Sequence, residues 1–262
     1  PAFPFYCVLD YEATCCRDDV PGRATLFPRE KMEIIEFPSI LYDVRPMLEG
    51  QPAIKISEYQ AFVKPVLNPE LTEFCTELTG ITQETVDGER GETFAAAYRG
   101  HYEWLKAQGK RFGFTPETAH EHVALVTCGD WDQKTMLPQQ LAIDFDRLGK
   151  KYPYPTFYRR WVNVQRPFKE QYTGFRGGMA RMLKHLRIPL VGRHHSGIDD
   201  CRNTAKILLS LLQDGQRCGI TGVVALPSRY QTGGTTKAVA TAASATALSG
   251  QKGKKKVQKK KN

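Results

Sequence analysis

The stretch FYCVLDYEATC, residues 5–15, decides the fold. It begins as a short apolar and aromatic run, which is typical of a buried β-strand, and it ends in two carboxylates, Asp10 and Glu12. Residues i and i+2 of a strand lie on the same face of the sheet. Two such carboxylates stay ionised when a cation lies between them, which favours a divalent metal ion. The alternative is that Glu12 is a solvated residue in the loop after the strand.

The composition is that of a folded protein without a membrane partner. The 262 residues allow one large domain or two small ones, and 41% of them are hydrophobic, which is enough for a packed core. No apolar run approaches the roughly 18 residues of a membrane-spanning helix, and no signal peptide is expected. The seven cysteines are odd in number and form no CxxC motif. This pattern predicts reduced thiols in a cytoplasmic or nuclear protein, and it argues against a zinc site.

The positive charge is concentrated at the end of the chain. The net charge is +9, but residues 233–262 contain eight Lys and no acidic residue, which leaves the remainder nearly neutral. Residues 231–262 are rich in Ala, Thr and Gly and then in Lys, and they have no apolar periodicity. We therefore predict a folded domain over residues 1–230 and a disordered tail over residues 231–262. The lysines are either a solubilising or nuclear-import segment, or an arm that holds RNA phosphates.

The first half of the chain predicts three strands and a loop. Residues 17–30 are polar and contain Pro and Gly, so they predict a loop. Residues 32–44 form a strand region interrupted by Pro38, which indicates an edge strand or a bulge. Residues 56–66 predict a third strand, and the three together predict an antiparallel meander.

The second half alternates helices and strands. Thr82 is a candidate N-cap for a short helix over residues 83–86. Further helices are predicted over residues 93–108, 133–145 with a break or bend at Pro138, 178–186 and 196–214. Further strands are predicted over residues 123–127 and 157–164. Early strands followed by alternation predict an α/β fold with a mixed sheet flanked by helices.

A second acidic cluster, Asp130-Trp131-Asp132, follows the predicted strand over residues 123–127. Ligands of α/β sheets bind at the carboxyl ends of the strands, so this cluster is a candidate for the same site. Spacing does not separate Asp130 from Asp132, and either could be an N-cap. Trp131 is either a core residue or a surface on which a base stacks.

A third cluster opens the last predicted helix. Ser196 and Asp199 have the spacing of a capping box, which gives Asp199 a structural role. Asp200 has no such explanation, because it lies beside the apolar stripe of the helix and is predicted to point towards the sheet. His195 precedes it by five residues. A lone His is usually structural, but beside an unexplained Asp and two acidic clusters it becomes a candidate base.

Carboxylates from three clusters together with one imidazole suit phosphodiester hydrolysis. Two hard cations held by acidic residues bind the phosphodiester while the His accepts a proton from the attacking water. Oxygen ligands favour Mg²⁺ or Mn²⁺, whereas zinc would require more His or Cys.

Five stretches in this order resemble the DEDDh 3′-to-5′ exonucleases, and within them the Eri-type group of the histone mRNA 3′ exonuclease. They are LDYEATC at 9–15, EIIEFP at 33–38, FCTELTGIT at 74–82, VTCGDWD at 126–132 and HSGIDDCRN at 195–203. The resemblance spans residues 5–215. It implies an RNase H-like exonuclease fold, two Mg²⁺ ions (with Mn²⁺ as a substitute) and release of nucleoside 5′-monophosphates from RNA 3′ ends.

The resemblance also implies roles for particular residues. Asp10, Glu12, Asp132 and Asp200 match the metal ligands, and His195 matches the general base. Residues in the stretches that match the family's pocket for the terminal nucleotide are Ala13, Phe74, Leu78, Thr79, Trp131 and His195. The chain departs from some relatives in lacking a visible SAP-type nucleic-acid-binding module, in the length of its 17–30 loop and in its Lys-rich tail.

The sequence therefore predicts a metal-dependent 3′-to-5′ exoribonuclease. The expected partners are RNA 3′ ends, single-stranded or with a short 3′ overhang, and a ribosome or ribonucleoprotein. Two alternatives stay open: a single-stranded DNA exonuclease, and an RNA- or ribosome-binding protein that uses the nuclease fold as an interaction module.

Overall fold

The computed structural model describes residues 1–17 and 28–228. The chain divides into two units, Pro1–Tyr230 and Gln231–Asn262. The predicted tail and most of the predicted 17–30 loop lie outside the described residues. No helix in the described part of the chain is long and apolar enough to cross a membrane.

The first unit is built on an eight-stranded mixed sheet, which confirms the predicted fold class. The strands are β1 Phe5–Leu9, β2 Glu12–Ala13, β3 Ile34–Asp43, β4 Ile54–Val63, β5 Gly91–Glu92, β6 Val123–Thr127, β7 Arg160–Asn163 and β8 Gly222–Val223. Their order is β5-β4-β3-β1-β6-β7-β8, and β2 pairs with β3. The predicted meander is confirmed, because β1, β3 and β4 pair antiparallel; β6 and β7 then extend the sheet in parallel with β1.

Strand β1 lies in the middle of the sheet, and all five of its residues are buried. Because side chains alternate along a strand, Phe5, Cys7 and Leu9 contribute to the core on one face of the sheet. Tyr6 and Val8 contribute to a second core on the opposite face. Residues that follow β1 are therefore held between two packed layers.

Eight α-helices are described in residues 1–17 and 28–228. They are α1 Glu73–Thr79, α2 Gln83–Asp87, α3 Phe94–Phe112, α4 Ala119–His122, α5 Leu137–Leu148, α6 Gln165–Gln171, α7 Met179–His185 and α8 Gly197–Gln213. Helix α3 packs on the first face of the sheet, whereas α7 and α8 pack on the second. The predicted N-cap is confirmed, because the Thr82 hydroxyl accepts a hydrogen bond from the Thr85 N–H.

The predicted edge or bulge at Pro38 is wrong, since β3 is an interior strand that continues through it. Pro38 lies opposite the short break between β1 and β2: pairing with β1 ends at Ser39, and pairing with β2 begins at Glu36. The strand tolerates a residue that cannot donate there, because the neighbouring strand is interrupted at the same point.

Two other predicted elements differ in form. The strand predicted over residues 157–164 starts as a 3₁₀ turn, Thr156–Arg159, and only Arg160–Asn163 pairs in the sheet. Pro138 does not break the helix after β6, because helical residues continue through it into α5. One π-helical turn, Asp132–Met136, leads into that helix.

Candidate active site

The parallel pairing of β1 with β6 brings the first two acidic clusters together. Val8 pairs with Val126, so both strands end at the same edge of the sheet. Asp10 follows β1 directly, and the cluster of Asp130 to Asp132 follows β6. The Tyr11 N–H donates to the Asp132 carboxylate at 3.0 Å. Asp132 is the first residue of the π-helical turn, a feature that is frequent at functional sites.

Helix α8 carries the third cluster across the same edge. Gly197 opens the helix, and a Cβ there would lie 2.7 Å from the Asp10 carbonyl oxygen and 2.8 Å from the Pro38 ring. Only a residue without a side chain permits this approach. The Asp200 side chain, 3% exposed, accepts from the His195 N–H at 2.9 Å.

The predicted capping box of Ser196 and Asp199 is wrong. Ser196 makes no side-chain capping bond to any described residue, and Asp199 instead pairs with Arg202 at 2.7 Å. The first two N–H groups of the helix, those of Gly197 and Ile198, donate to the buried carboxylate of Glu36 on β3 at 3.0 and 3.1 Å.

Most of the predicted catalytic residues meet at one cavity of about 320 Å³. Its lining includes acidic, aromatic and imidazole side chains: Asp10, Tyr11, Glu12, Cys128, Trp131, Gln165, Gly178, Met179, His194, His195 and Asp200. Asp132 does not line the cavity. It is 4% exposed, and its charge helps raise the pKa of Asp10.

The carboxylates repel one another in a site with little water. Burial first, and then the charges of Asp132, Glu12 and Asp200, hold the pKa of Asp10 well above its usual range. Burial followed by the charge of Glu36 raises the pKa of Glu12 to about 9. Burial also raises the pKa of Asp132 to about 6, and it raises that of Asp200.

This donor set fits divalent cations. Of the described residues, no Lys or Arg lines the cavity, so the chain offers no side chain with a permanent positive charge there. Carboxylate oxygens are the ligands that Mg²⁺ and Mn²⁺ prefer. The Glu12 side chain is 8% exposed, so the alternative of a solvated loop residue is wrong.

His194 belongs to the site, although the sequence did not single it out. Its ring stacks on that of His195, with centroids 4.0 Å apart and planes at 14°. Its Nδ1 lies 3.0 Å from the Asp200 carboxylate. The ligand atoms of His194, His195 and Asp200 lie within 4.8 Å of one another. The signal was its place beside His195 in the sequence.

The backbone of His195 has a φ of 66°, in the left-handed region that few non-glycine residues adopt. The hydrogen bond from its N–H to Asp200 holds this conformation. Burial and the neighbouring His194 lower the pKa of His195. Unusual backbone conformations of this kind cluster at functional sites.

The Asp130 side chain is held by two neighbouring residues outside the cavity lining. Its carboxylate accepts from the Trp161 indole N–H at 2.9 Å and pairs with Arg166 at 3.0 Å. Trp131 is not a core residue, because it is 40% exposed and lines the cavity.

The remaining predicted substrate residues lie beside the cavity and do not line it. Phe74, Leu78 and Thr79 are on α1, which contacts β2 where the Cys75 thiol approaches the Ala13 carbonyl at 3.7 Å. Phe74 and Leu78 are half-buried. The Thr79 hydroxyl is engaged within the chain, since it donates to the Cys75 carbonyl at 2.8 Å. Its role towards substrate stays a prediction.

Residues 7–208 match the family described as Exonuclease, which covers more than half of the chain and includes all three clusters. The chain belongs to the exonuclease family. Within it, the chain is similar to the nuclease domain of 3′hExo, a DEDDh family member whose structure was solved with bound rAMP. The TM-score is 0.69 and the identity 32%, and the match covers 85% of this chain and 98% of that one. The resemblance read from the sequence and the RNase H-like DEDDh fold are thereby confirmed.

Other members of the exonuclease family give the same result. ERI1 exoribonuclease 3 of Bos taurus is 34% identical over 214 residues, which are 81% of this chain and 55% of that protein. A 3′-exonuclease solved for its 3′-end-specific recognition of histone mRNA stem-loop has a TM-score of 0.70 and 29% identity, over 85% of this chain and 68% of that one. The chain spans about half the length of the curated relative. Membership of the DEDDh type implies dependence on divalent metal ions.

Proposed function

We propose that this chain hydrolyses phosphodiester bonds from the 3′ ends of RNA and releases nucleoside 5′-monophosphates. One observation carries the proposal. Asp10, Glu12 and Asp200 face a single cavity beside His195, while Asp132 is buried and accepts from the N–H of Tyr11, the residue after Asp10. Three separate segments of the chain supply these groups, and packing is what brings them together.

The proposed cofactor is a pair of Mg²⁺ ions, with Mn²⁺ as a substitute. Asp10, Glu12, Asp132 and Asp200 would hold them, and their mutual repulsion is the electrostatic reason that cations bind here. Bound divalent ions would acidify a coordinated water and neutralise charge on the phosphate.

His195 is the proposed general base. A base must be neutral to accept a proton, and burial together with His194 lowers the pKa of His195, which favours the neutral form near pH 7. Asp200 accepts from the backbone N–H of His195 and so fixes the backbone from which the ring projects. The backbone thus positions the imidazole at the wall of the cavity, where an attacking water would lie.

Trp131 is the proposed stacking surface for the terminal base. Its ring is exposed at the cavity, and stacking on an aromatic side chain contributes about 1–3 kcal/mol per base. Ala13, Phe74, Leu78 and Thr79 would form the neighbouring wall.

The proposed partners are RNA 3′ ends, single-stranded or with a short 3′ overhang, and a ribosome or ribonucleoprotein. Relatives are named as exoribonucleases, and one is solved in recognition of a histone mRNA stem-loop. The proposed location is cytoplasmic, nuclear or both, with the seven lysines of residues 251–262 as the nuclear-import candidate.

The deciding experiment is digestion of one RNA labelled at its 3′ end or at its 5′ end, with Mg²⁺ or with EDTA. The proposal expects a labelled mononucleotide from the first substrate, stepwise shortening of the second, and no product in EDTA. A matched DNA tests the 2′-hydroxyl, which is the group that separates the two substrates. Digestion of the DNA at the same rate as the RNA would support the alternative that this chain is a single-stranded DNA exonuclease. RNA binding without metal-dependent digestion would support the alternative that the nuclease fold serves as an RNA- or ribosome-binding module.

A further inference from the structure

A cationic groove of about 800 Å³ lies on the second face of the sheet. The loop after α6 and the exposed side of α7 line it: Tyr172, Thr173, Gly174, Phe175, Arg176, Arg181, Lys184 and His185. Arg176, Arg181 and Lys184 are exposed, whereas the two aromatic rings are half-buried. Tyr172 and Phe175 each pack on the core ring of Phe168 with centroids 4.7 Å apart, so the floor of the groove is fixed.

The three permanent charges of this groove are uncompensated. No Asp or Glu among the described residues lines the groove. No acidic side chain in residues 1–17 or 28–228 forms an ion pair with Arg176, Arg181 or Lys184. Six other Lys and Arg side chains of the described residues do form ion pairs, as Arg202 does with Asp199. Residues 1–232 are nearly neutral in sum, so a cluster of three free charges stands out.

The groove is continuous with the catalytic cavity along the chain. Gly178 and Met179 line that cavity, and Arg176 precedes Gly178 by two residues, which limits their Cα separation to about 7.6 Å. Arg181 lies against the segment between them, because a Cβ on Gly177 would meet the Arg181 side chain at 2.6 Å. The φ of Gly177 is 148°, so glycine suits both its conformation and this contact.

We propose that this groove binds the phosphates of RNA on the 5′ side of the nucleotide in the catalytic cavity. The inference rests on the proposed function. Without bound metal ions the carboxylate-rich cavity repels a polyanion, so attraction for the strand then comes from outside the cavity. The groove supplies three cations on the segment and helix whose first residues line the cavity. Phosphate contacts by Lys and Arg supply most sequence-independent affinity for nucleic acid.

The test compares two triple variants of the full chain. The first carries Arg176→Gln, Arg181→Gln and Lys184→Gln. The control carries Arg99→Gln, Lys110→Gln and Lys150→Gln, three exposed charges on or near the elements of the opposite face. Both lose three positive charges, so a difference between them reports position and not net charge.

Binding of a 12-nucleotide RNA is measured in EDTA as a function of NaCl, where no digestion occurs. Each phosphate contact on a single strand contributes about −0.7 to the slope of log affinity against log salt, so the groove variant is expected to flatten that slope by about 2. Between 50 and 200 mM salt the wild type then loses about 20-fold more affinity than the groove variant does. Equal slopes in the two triple variants would overturn the proposal.

Substrate length separates this inference from the proposed function. With Mg²⁺, the ratio of kcat/KM on the 12-nucleotide RNA to that on a dinucleotide is expected to fall in the groove variant and to stay at the wild-type value in the control. A fall of equal size on both substrates would also overturn it. Failure of the wild type to digest any RNA would refute the proposed function, while the salt dependence in EDTA would still report on the groove.

Discussion

The carboxylate of Glu36 accepts the N–H of Gly197 at 3.0 Å and thereby joins β3 to the first turn of α8. Glu36 is 1% exposed and also accepts from the Ile198 N–H and the Gln60 side chain. A residue of the sheet thus caps the helix that presents Asp200. The cap positions Asp200 and His195 relative to Asp10, although Glu36 itself does not line the cavity.

Glu36→Gln is expected to lower both stability and turnover. An amide cannot accept all three hydrogen bonds, and one buried donor left without a partner costs about 1–3 kcal/mol. The first turn of α8 would shift, and kcat would fall in the folded protein. Urea unfolding and kinetics on the same preparations measure the two effects.

Glu33→Gln is the matched control. Glu33 is equally buried and accepts the N–H groups of Val66, Leu67 and Asn68, away from the cavity. We expect a similar loss of stability with normal kcat per folded molecule. An equal loss of kcat in both variants would show that Glu36 acts through stability alone.

Gly197→Ala is expected to separate α8 from β1. The added methyl would lie 2.7 Å from the Asp10 carbonyl oxygen, and overpacking of this kind costs about 1–3 kcal/mol. Mn²⁺ binding, measured by calorimetry, should weaken because Asp200 moves from Asp10. Gly219→Ala is the control, since no atom of the described residues, apart from Gly219 and its two chain neighbours, lies within 4 Å of its Cβ position. Unaltered Mn²⁺ affinity in Gly197→Ala would contradict the role of this close approach.

Asp132→Asn is expected to abolish digestion, whereas Asp130→Asn should retain a substantial fraction. Asp132 is buried and its charge raises the pKa of Asp10, while Asp130 accepts from Trp161 and pairs with Arg166. Loss of the Arg166 pair, which is partly exposed, should cost at most about 1 kcal/mol. The two variants are compared by their initial rates on labelled RNA, and thermal melts check that each one is folded. Equal inactivation of the two folded variants would contradict the assignment of Asp132, and not Asp130, to the catalytic site.

His195→Ala should reduce turnover by roughly 10²–10⁴, the range for loss of a general base. RNA binding should persist, and the wild-type rate should fall with a midpoint below the ordinary imidazole pKa of about 6.5, because burial and His194 lower the pKa of His195. His194→Ala is the comparison, because it removes the ring stacked on His195 and should cost less. A larger loss in His194→Ala would reassign the base.

His101 predicts a pH dependence of stability away from the site. Burial lowers its pKa to about 3, and its ring nitrogens contact the Tyr158 and Ser39 hydroxyls at 2.7 and 2.9 Å. Between that value and about 6.5 the unfolded chain binds a proton that the folded chain does not. Stability is therefore lost as the pH falls through this range, by up to about 1.4 kcal/mol per pH unit.

His101→Gln should flatten that dependence by up to one proton. Urea unfolding of both proteins at pH 4.5, 5.25 and 6 gives the difference in slope, which is independent of the overall stability that the variant loses. Parallel slopes would mean that His101 is charged in the folded state.

Local chemistry was sufficient for many elements. The apolar run of residues 5–9 is a buried strand, and Thr82 caps a helix, because each depends on neighbours within a few residues. The motif stretches likewise indicated the exonuclease family before any geometry was known. Asp10, Glu12 and the acidic cluster after β6 could be proposed for one site, since parallel strands place their carboxyl ends at one edge.

Only the tertiary structure decided the remainder, because the partners are distant in the sequence. Ser196 and Asp199 had the spacing of a capping box, yet Glu36, 161 residues before Gly197, took the helix N–H groups. Asp130 and Asp132 were equivalent by spacing, and the family resemblance matched Asp132; only the structure shows the partners that occupy Asp130, which are Trp161 and Arg166. Pattern reports which residues are apolar or charged in a local repeat. A local pattern does not report which distant side chains form a hydrogen bond with each other, because tertiary packing determines which groups are close enough.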